Sequence, residues 1–209
     1  MRINKYLAKC GIGSRRKCDE YISSGKIKVD GKKITDFSFN VNDDSYVQFN
    51  NKLVNKLENV IFMLNKPRGY ICTKNDNLGR KTIYDLLPDK FDLFSIGRLD
   101  YDTTGILLVT NDGDLCYELT HPKFNVDKKY YVFTDKKISN SDILRIKKGI
   151  KLDNEILKAN VKFLENINNG YFWDVVLTEG KNREIKRIFN FFDIKVLNLH
   201  RYEFSGLRM

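Results

Sequence analysis

Gly97-Arg98-Leu99-Asp100-Tyr101-Asp102-Thr103-Thr104-Gly105 is the stretch of this 209-residue chain best suited to chemistry. A carboxylate bracketed by glycines and followed at once by Ile106-Leu107-Leu108-Val109 makes a poor core but a good exposed turn beside a strand. Asp100 is therefore the first candidate for acid–base or nucleophilic work. Asp102, Asp112 and Asp114 stand close by in sequence and raise a divalent-cation reading. A calcium loop places its first acid five residues before an obligatory glycine, and counting back from Gly113 finds Leu108 instead. A magnesium nuclease built on scattered acids is the lesser reading, because Arg98 and the Thr pair compete for the same carboxylates. His121 and His200 lie far apart, with no Ser or Cys in a nucleophile setting, so no hydrolase triad is expected.

The cations say what such a site would meet. Lys and Arg total 37 against 27 acids, a net charge of +10 with a pI near 9.3. That excess favours a polyanion, nucleic acid first and a membrane surface second. Residues 1–35 alone carry a net +7. Arg15-Arg16-Lys17 falls in the first turn of an expected helix, where cations oppose the helix dipole while free N–H groups point outward, an arrangement that suits phosphate. Arg183-Glu184-Ile185-Lys186-Arg187 repeats that pattern, with Arg183, Lys186 and Arg187 on one side. Lys128-Lys129-Tyr130-Tyr131 puts rings that could stack on a base beside charges that could hold its phosphates.

Positioning these groups requires two sets of elements. Ile3, Tyr6, Leu7 and Cys10 recur at helical spacing and are cut off by Gly11-Ile12-Gly13. Ser14 is placed to cap a second helix with Cys18, Tyr21 and Ile22 as its buried stripe. Asp30-Gly31 between Lys26–Val29 and Lys32–Ile34 predicts a hairpin. Phe37–Phe39 and Tyr46–Phe49 read as strands, and the polar stretch 50–59 sets a domain boundary near residue 58. Beyond it, strands are expected at 60–64 (buried), 94–96, 106–109, 130–133, 159–164, 170–177 and 196–204. Helices are expected at 82–87, 115–120 and 141–148, and from 182 onward. The second domain is thus α+β with a sheet-dominated core. The four cysteines show no metal-ligand spacing and read as reduced and structural. No apolar opening or long apolar run suggests a leader or a membrane span, so a cytoplasmic protein is expected.

Two stretches resemble known families. Met1–Ile34, with Gly-Ile-Gly-Ser-Arg-Arg before its second helix, is similar to the S4 RNA-binding domain. Gly97-Arg98-Leu99-Asp100 with Asp-Thr-Thr-Gly and Thr110-Asn-Asp-Gly-Asp resembles the catalytic segment of pseudouridine synthases. Asn65-Lys66-Pro67-x-Gly69, Lys128-x-Tyr130-x-Val132 and Arg183–Arg187 resemble further motifs of the S4-containing RsuA/RluB-type ribosomal RNA enzymes, in the same order. The resemblance implies an α+β chain: a small N-terminal S4 RNA-binding domain (1–58), then a catalytic domain (59–209) on a mixed, mostly antiparallel sheet. It implies isomerisation of uridine to pseudouridine in ribosomal RNA on a flipped-out base, without cofactor or metal. Asp100, Tyr130 and Lys186 would be catalytic, with Lys186 standing where this branch usually has Arg. Arg15, Arg16, Lys17, Lys26, Lys28, Lys66, Arg98, Lys128, Arg183 and Arg187 would bind RNA. Asn125–Tyr130 after His121-Pro122 favours large-subunit (23S) over 16S ribosomal RNA, naked or in a pre-ribosomal particle, and a monomeric enzyme. A noncatalytic S4-type RNA-binding or assembly factor is the alternative.

Overall fold

Apolar stripes at helical spacing open the chain as α1 (Ile3–Lys9) and α2 (Arg15–Ser23) in a computed structural model that describes residues 1–167 and 170–209. Ser14 caps α2, its hydroxyl accepting from the Lys17 N–H at 3.2 Å; the first turn itself holds no acid, and Glu20, one turn on, pairs with Lys17. A four-stranded sheet follows, from β1 (Ile27–Val29), β2 (Lys32–Ile34), β3 (Val47–Phe49) and β4 (Lys52–Leu53), in the order β2-β1-β3-β4. Asp30 and Gly31 both take positive φ, 50° and 78°, as the two-residue hairpin between β1 and β2 requires. Ile3, Leu7, Cys18, Ile22, Ile27 and Val47 are wholly buried in one core. Each large aliphatic side chain there contributes roughly 1.5–3 kcal/mol over its exposed state. Phe37–Phe39 is a turn rather than a strand, because the Asp36 carboxylate accepts from the Ser38 N–H and hydroxyl and bends the chain.

The chain divides into two compact units, residues 1–60 with 89–93 and residues 61–88 with 94–209. The second begins with β5 (Ile61–Lys66), β6 (Phe94–Ser95), β7 (Thr104–Thr110), α3 (Gly113–Thr120) and β8 (Lys128–Thr134). It continues through α4 (Asn140–Lys148), the hairpin β9 (Ile150–Leu152) and β10 (Glu155–Leu157), then β11 (Asn160–Ile167) and β12 (Gly170–Leu177). It closes with α5 (Glu184–Asn190), β13 (Val196–Phe204) and β14 (Leu207–Arg208). Eight strands form one sheet with the path β11-β12-β8-β13-β7-β5, β6 and β14 pairing with β7 and β13. Every pairing is antiparallel except β13 on β7.

Trp173 is buried on β12 and donates its Nε1–H to Thr134 Oγ1 at 2.8 Å, so its polar atom is satisfied within the core. β5 departs from the expected buried strand. It lies at the sheet edge, alternates, and leaves Ile61 and Met63 about half exposed. The β9–β10 hairpin has no counterpart among the expected elements. Among the described residues no helix is long and apolar enough to cross a membrane.

Candidate active site

The turn carrying Asp100 is fixed from behind. Lys66, at the end of β5, is wholly buried, and its ammonium donates to the carbonyls of Thr103 at 2.9 Å and Pro67 at 3.0 Å. Burial pushes this amine below its ordinary pKa, while the nearby Asp102 and Asp100 carboxylates pull it back up. The expectation that Lys66 contacts RNA is therefore corrected. Its charge is spent on backbone carbonyls and no solvent-facing surface remains. Cys72 Sγ meets the Leu99 carbonyl at 3.3 Å, and the Thr103 N–H closes the turn on the Asp100 carbonyl at 3.1 Å. Replacing a buried ion with an apolar side chain can be neutral when its partner is removed too, but here the buried Thr103 carbonyl would stay and lose this donor. Lys66→Met is expected to cost about 2 kcal/mol or more, read as a lowered urea midpoint at unchanged slope.

In front of the turn lies a cavity of about 290 Å³, near the lower end of the range for small-ligand sites. Arg98, Asp100, Lys128, Tyr130, Arg183 and Lys186, called from sequence, all line it. They come from three places in the chain, brought together by β8 and β13 pairing beside β7 and by α5 packing on β13. Tyr130, on β8, is only 7% exposed, so its ring serves the cavity rather than solvent. Lys186 on α5 lies 3.2 Å from Asp100 Oδ2 and is hydrogen-bonded to Asp102 Oδ1. Arg183 stands 3.7 Å from the same Asp100 oxygen. Burial alone would raise the Asp102 carboxyl, but the Lys186 hydrogen bond and charge outweigh it and hold it below the usual range. Two cations and two carboxylates thus form a balanced cluster at the cavity wall.

The start of α5 differs from the expected cation-crowded helix end. Arg183 caps it in a left-handed conformation, and Glu184 occupies the first turn, buried, accepting the Lys181 N–H at 2.9 Å. Burial raises the Glu184 carboxyl, against that hydrogen bond. Arg187 sits in the last turn, where a cation favours the dipole. It pairs with Glu155 at 2.7 Å and Asp153 at 3.4 Å on the β9–β10 hairpin. Arg187 therefore fastens a hairpin instead of waiting for phosphate, a second correction. Lys128 lines the cavity but is mostly buried, its ammonium donating to the carbonyls of Val126 and Thr178. Burial, helped by the neighbouring Arg201 charge, lowers its pKa.

Arg201 was not singled out in the sequence. It is 2% exposed, lines the cavity from β13, and donates Nε–H to the Ile106 carbonyl at 2.7 Å. No motif pointed to it, because a lone Arg in an apolar strand carries no spacing signal. Both histidines do structural work. His121 Nδ1 accepts from the Lys123 N–H, and His200 Nδ1 shares a 2.9 Å hydrogen bond with Thr104 Oγ1. Asp112 is spent capping α3 through the Asp114 and Leu115 N–H groups. Among the described residues no three His, Cys, Asp or Glu side chains gather as metal ligands.

Arg15, Arg16, Lys17, Lys26 and Lys28 lie in the other unit, the first three on α2, Lys26 just before β1 and Lys28 within it. Arg15, Arg16, Lys17 and Lys26 are exposed, and Lys28 is partly so. Lys17 and Lys26 flank the Tyr21 ring, 5.5 and 5.3 Å from its centre, making a basic patch with an aromatic floor.

The RNA pseudouridylate synthase family profile matches residues 60–191, and the S4 domain profile matches residues 1–45. The full chain is 37% identical to ribosomal large subunit pseudouridine synthase B of Bacillus subtilis (strain 168), spanning 87% of that protein. It is 34% identical, over all of this chain and 87% of the other, to an RNA pseudouridine synthase of Aquifex aeolicus (strain VF5). A crystal structure of a pseudouridylate synthase superposes with a TM-score of 0.70 at 28% identity, covering all of this chain and 90% of that one.

Proposed function

The chain belongs to the RNA pseudouridylate synthase family, and we propose that it converts one uridine of large-subunit ribosomal RNA to pseudouridine, with Asp100 as the catalytic residue. The observation that carries this reading is the Asp100 carboxylate, held by Lys186 and Arg183 through one oxygen at the wall of a cavity that also holds Tyr130. A uridine inside a helix cannot present its sugar to such a wall, so the nucleotide must leave its stack, at a cost of a few kcal/mol. The tyrosine face, with Arg98 exposed beside Asp100, offsets that cost by stacking and by charge.

The reaction is redox-neutral and needs no group from outside. Asp100 acts on the sugar as the N1–C1′ bond breaks, the uracil rotates within the cavity, and C5 bonds to C1′. The C5 proton leaves and N1 ends protonated, so nothing is gained or lost. The flanking cations offset the negative charge of Asp100 when the base displaces water. The S4 unit supplies grip on structured RNA through the Arg15–Lys17 and Lys26 patch. Large-subunit RNA is favoured by the name of the Bacillus subtilis relative. The reading extends to a monomeric enzyme working in the cytoplasm.

Mapping pseudouridine in ribosomal RNA from a strain lacking the gene tests the reading. One large-subunit position is expected to lose its modification and regain it on incubation with the purified protein. Tight RNA binding with no new pseudouridine would favour the noncatalytic assembly-factor reading instead.

A further inference from the structure

Lys186 does not serve Asp100 alone. Its ammonium lies 3.2 Å from Asp100 Oδ2 and closer still to Asp102 Oδ1. Arg183 addresses Asp100 through the same Oδ2. No ion pair among the described residues is made through Asp100 Oδ1. Asp100, Arg183 and Lys186 line the cavity, whereas Asp102 does not. Asp102 thus reaches the reacting groups through Lys186. The Lys186 side chain is 12% exposed and that of Asp102 52%, so the ammonium is covered while its second carboxylate stays open to solvent.

An ammonium is a compact charge with three rotatable donors on a flexible stem. Nothing in its shape confines it to one oxygen of a carboxylate. Left with Asp100 alone, it would settle across both oxygens and withdraw both from the substrate. A second carboxylate at Asp102 draws it to one side. We infer that Asp102 is a positioning residue for the isomerisation: by sharing the Lys186 ammonium it confines that charge to Asp100 Oδ2 and leaves Oδ1 to the ribose. This role rests on the catalytic reading of Asp100. It also accounts for how a lysine can serve at this wall, since a planar guanidinium would engage one carboxylate with a fixed fork and need no second partner.

Initial rates on large-subunit RNA lacking the modification provide the test. Asp102→Asn is expected to lower kcat roughly tenfold with KM within about twofold, the size of a coupled pair. Asp102→Glu, which keeps a carboxylate within reach, is expected to recover most of that loss. In a Lys186→Arg background the Asp102→Asn change is expected to cost less than about threefold. No loss of kcat, a loss confined to KM, or equal losses in both backgrounds would overturn the role. A second arm needs no turnover. In 15N-lysine-labelled protein the Lys186 Nζ signal, assigned through Lys186→Arg, is expected to shift in both Asp100→Asn and Asp102→Asn. A signal that responds to Asp100→Asn alone overturns the shared ammonium. Wild-type protein that forms no pseudouridine brings down the catalytic reading and the positioning role with it, whereas an active wild type with an unimpaired Asp102→Asn variant brings down the positioning role alone.

Discussion

Asp100→Asn is expected to lower pseudouridine formation by roughly a thousandfold or more while leaving the fold and RNA binding in place. The amide has the same shape as the carboxylate but no charge, so it can neither bond C1′ nor take a proton from the sugar. The cost to the fold is small. Asp100 and Arg183 are respectively 29% and 54% exposed in their side chains, and a pair this open contributes about 0–1 kcal/mol. Lys186 keeps Asp102 as a counter-charge, so no cation is stranded. Loss of the C5 proton gives a direct assay: tritium release from RNA labelled at uridine C5, under single turnover. A variant that retains more than a tenth of the wild-type rate would refute the assignment of Asp100. A large drop in thermal midpoint would show instead that the carboxylate is structural.

The elements legible in the sequence are those whose signal is local. Ser14 before a stripe at helical spacing, and Asp30-Gly31 between alternating strands, state their geometry within a few residues, and the structure has the capped helix and the hairpin there. The order of the motifs brought Asp100, Tyr130 and Lys186 forward, and the fold sets all three at one cavity. What stayed hidden is set by pairing between distant segments. Lys66 looks like a free cation until β5 lies against β7 and its ammonium finds the carbonyls of the Asp100 turn. Arg187 looks like a phosphate contact until the unforeseen β9–β10 hairpin brings Glu155 and Asp153 to it. Helical spacing gave the side of α5 on which Arg187 lies. It could not give what that side faces.

Gly105→Ala is expected to destabilise the second unit by about 3–5 kcal/mol and to lower activity with it. Gly105 has φ of +105°, a region where a side chain is strained, costing about 1–2 kcal/mol by itself. The larger cost is contact. A Cβ there would fall 2.1 Å from the Arg201 carbonyl oxygen and 2.8 Å from its backbone C and N. These are main-chain atoms of β13, so no flexible side chain can swing aside. Relief requires β7 and β13 to part where they pair in parallel, Thr104 with His200 and Gly105 with Arg201. Parting them also loosens the Arg201 Nε–Ile106 carbonyl hydrogen bond and the wall of the cavity. At about 2–4 °C per kcal/mol for a unit of this size, the thermal midpoint should fall by roughly 10 °C. Gly113→Ala is the control, since a Cβ on that first residue of α3 meets nothing within 4 Å. It should leave the midpoint within a degree or two. Equal midpoints for the two variants would mean that the close approach at Gly105 relaxes without cost. A selective fall for Gly105→Ala would show that the Asp100 turn depends on a strand crossing too tight for any side chain.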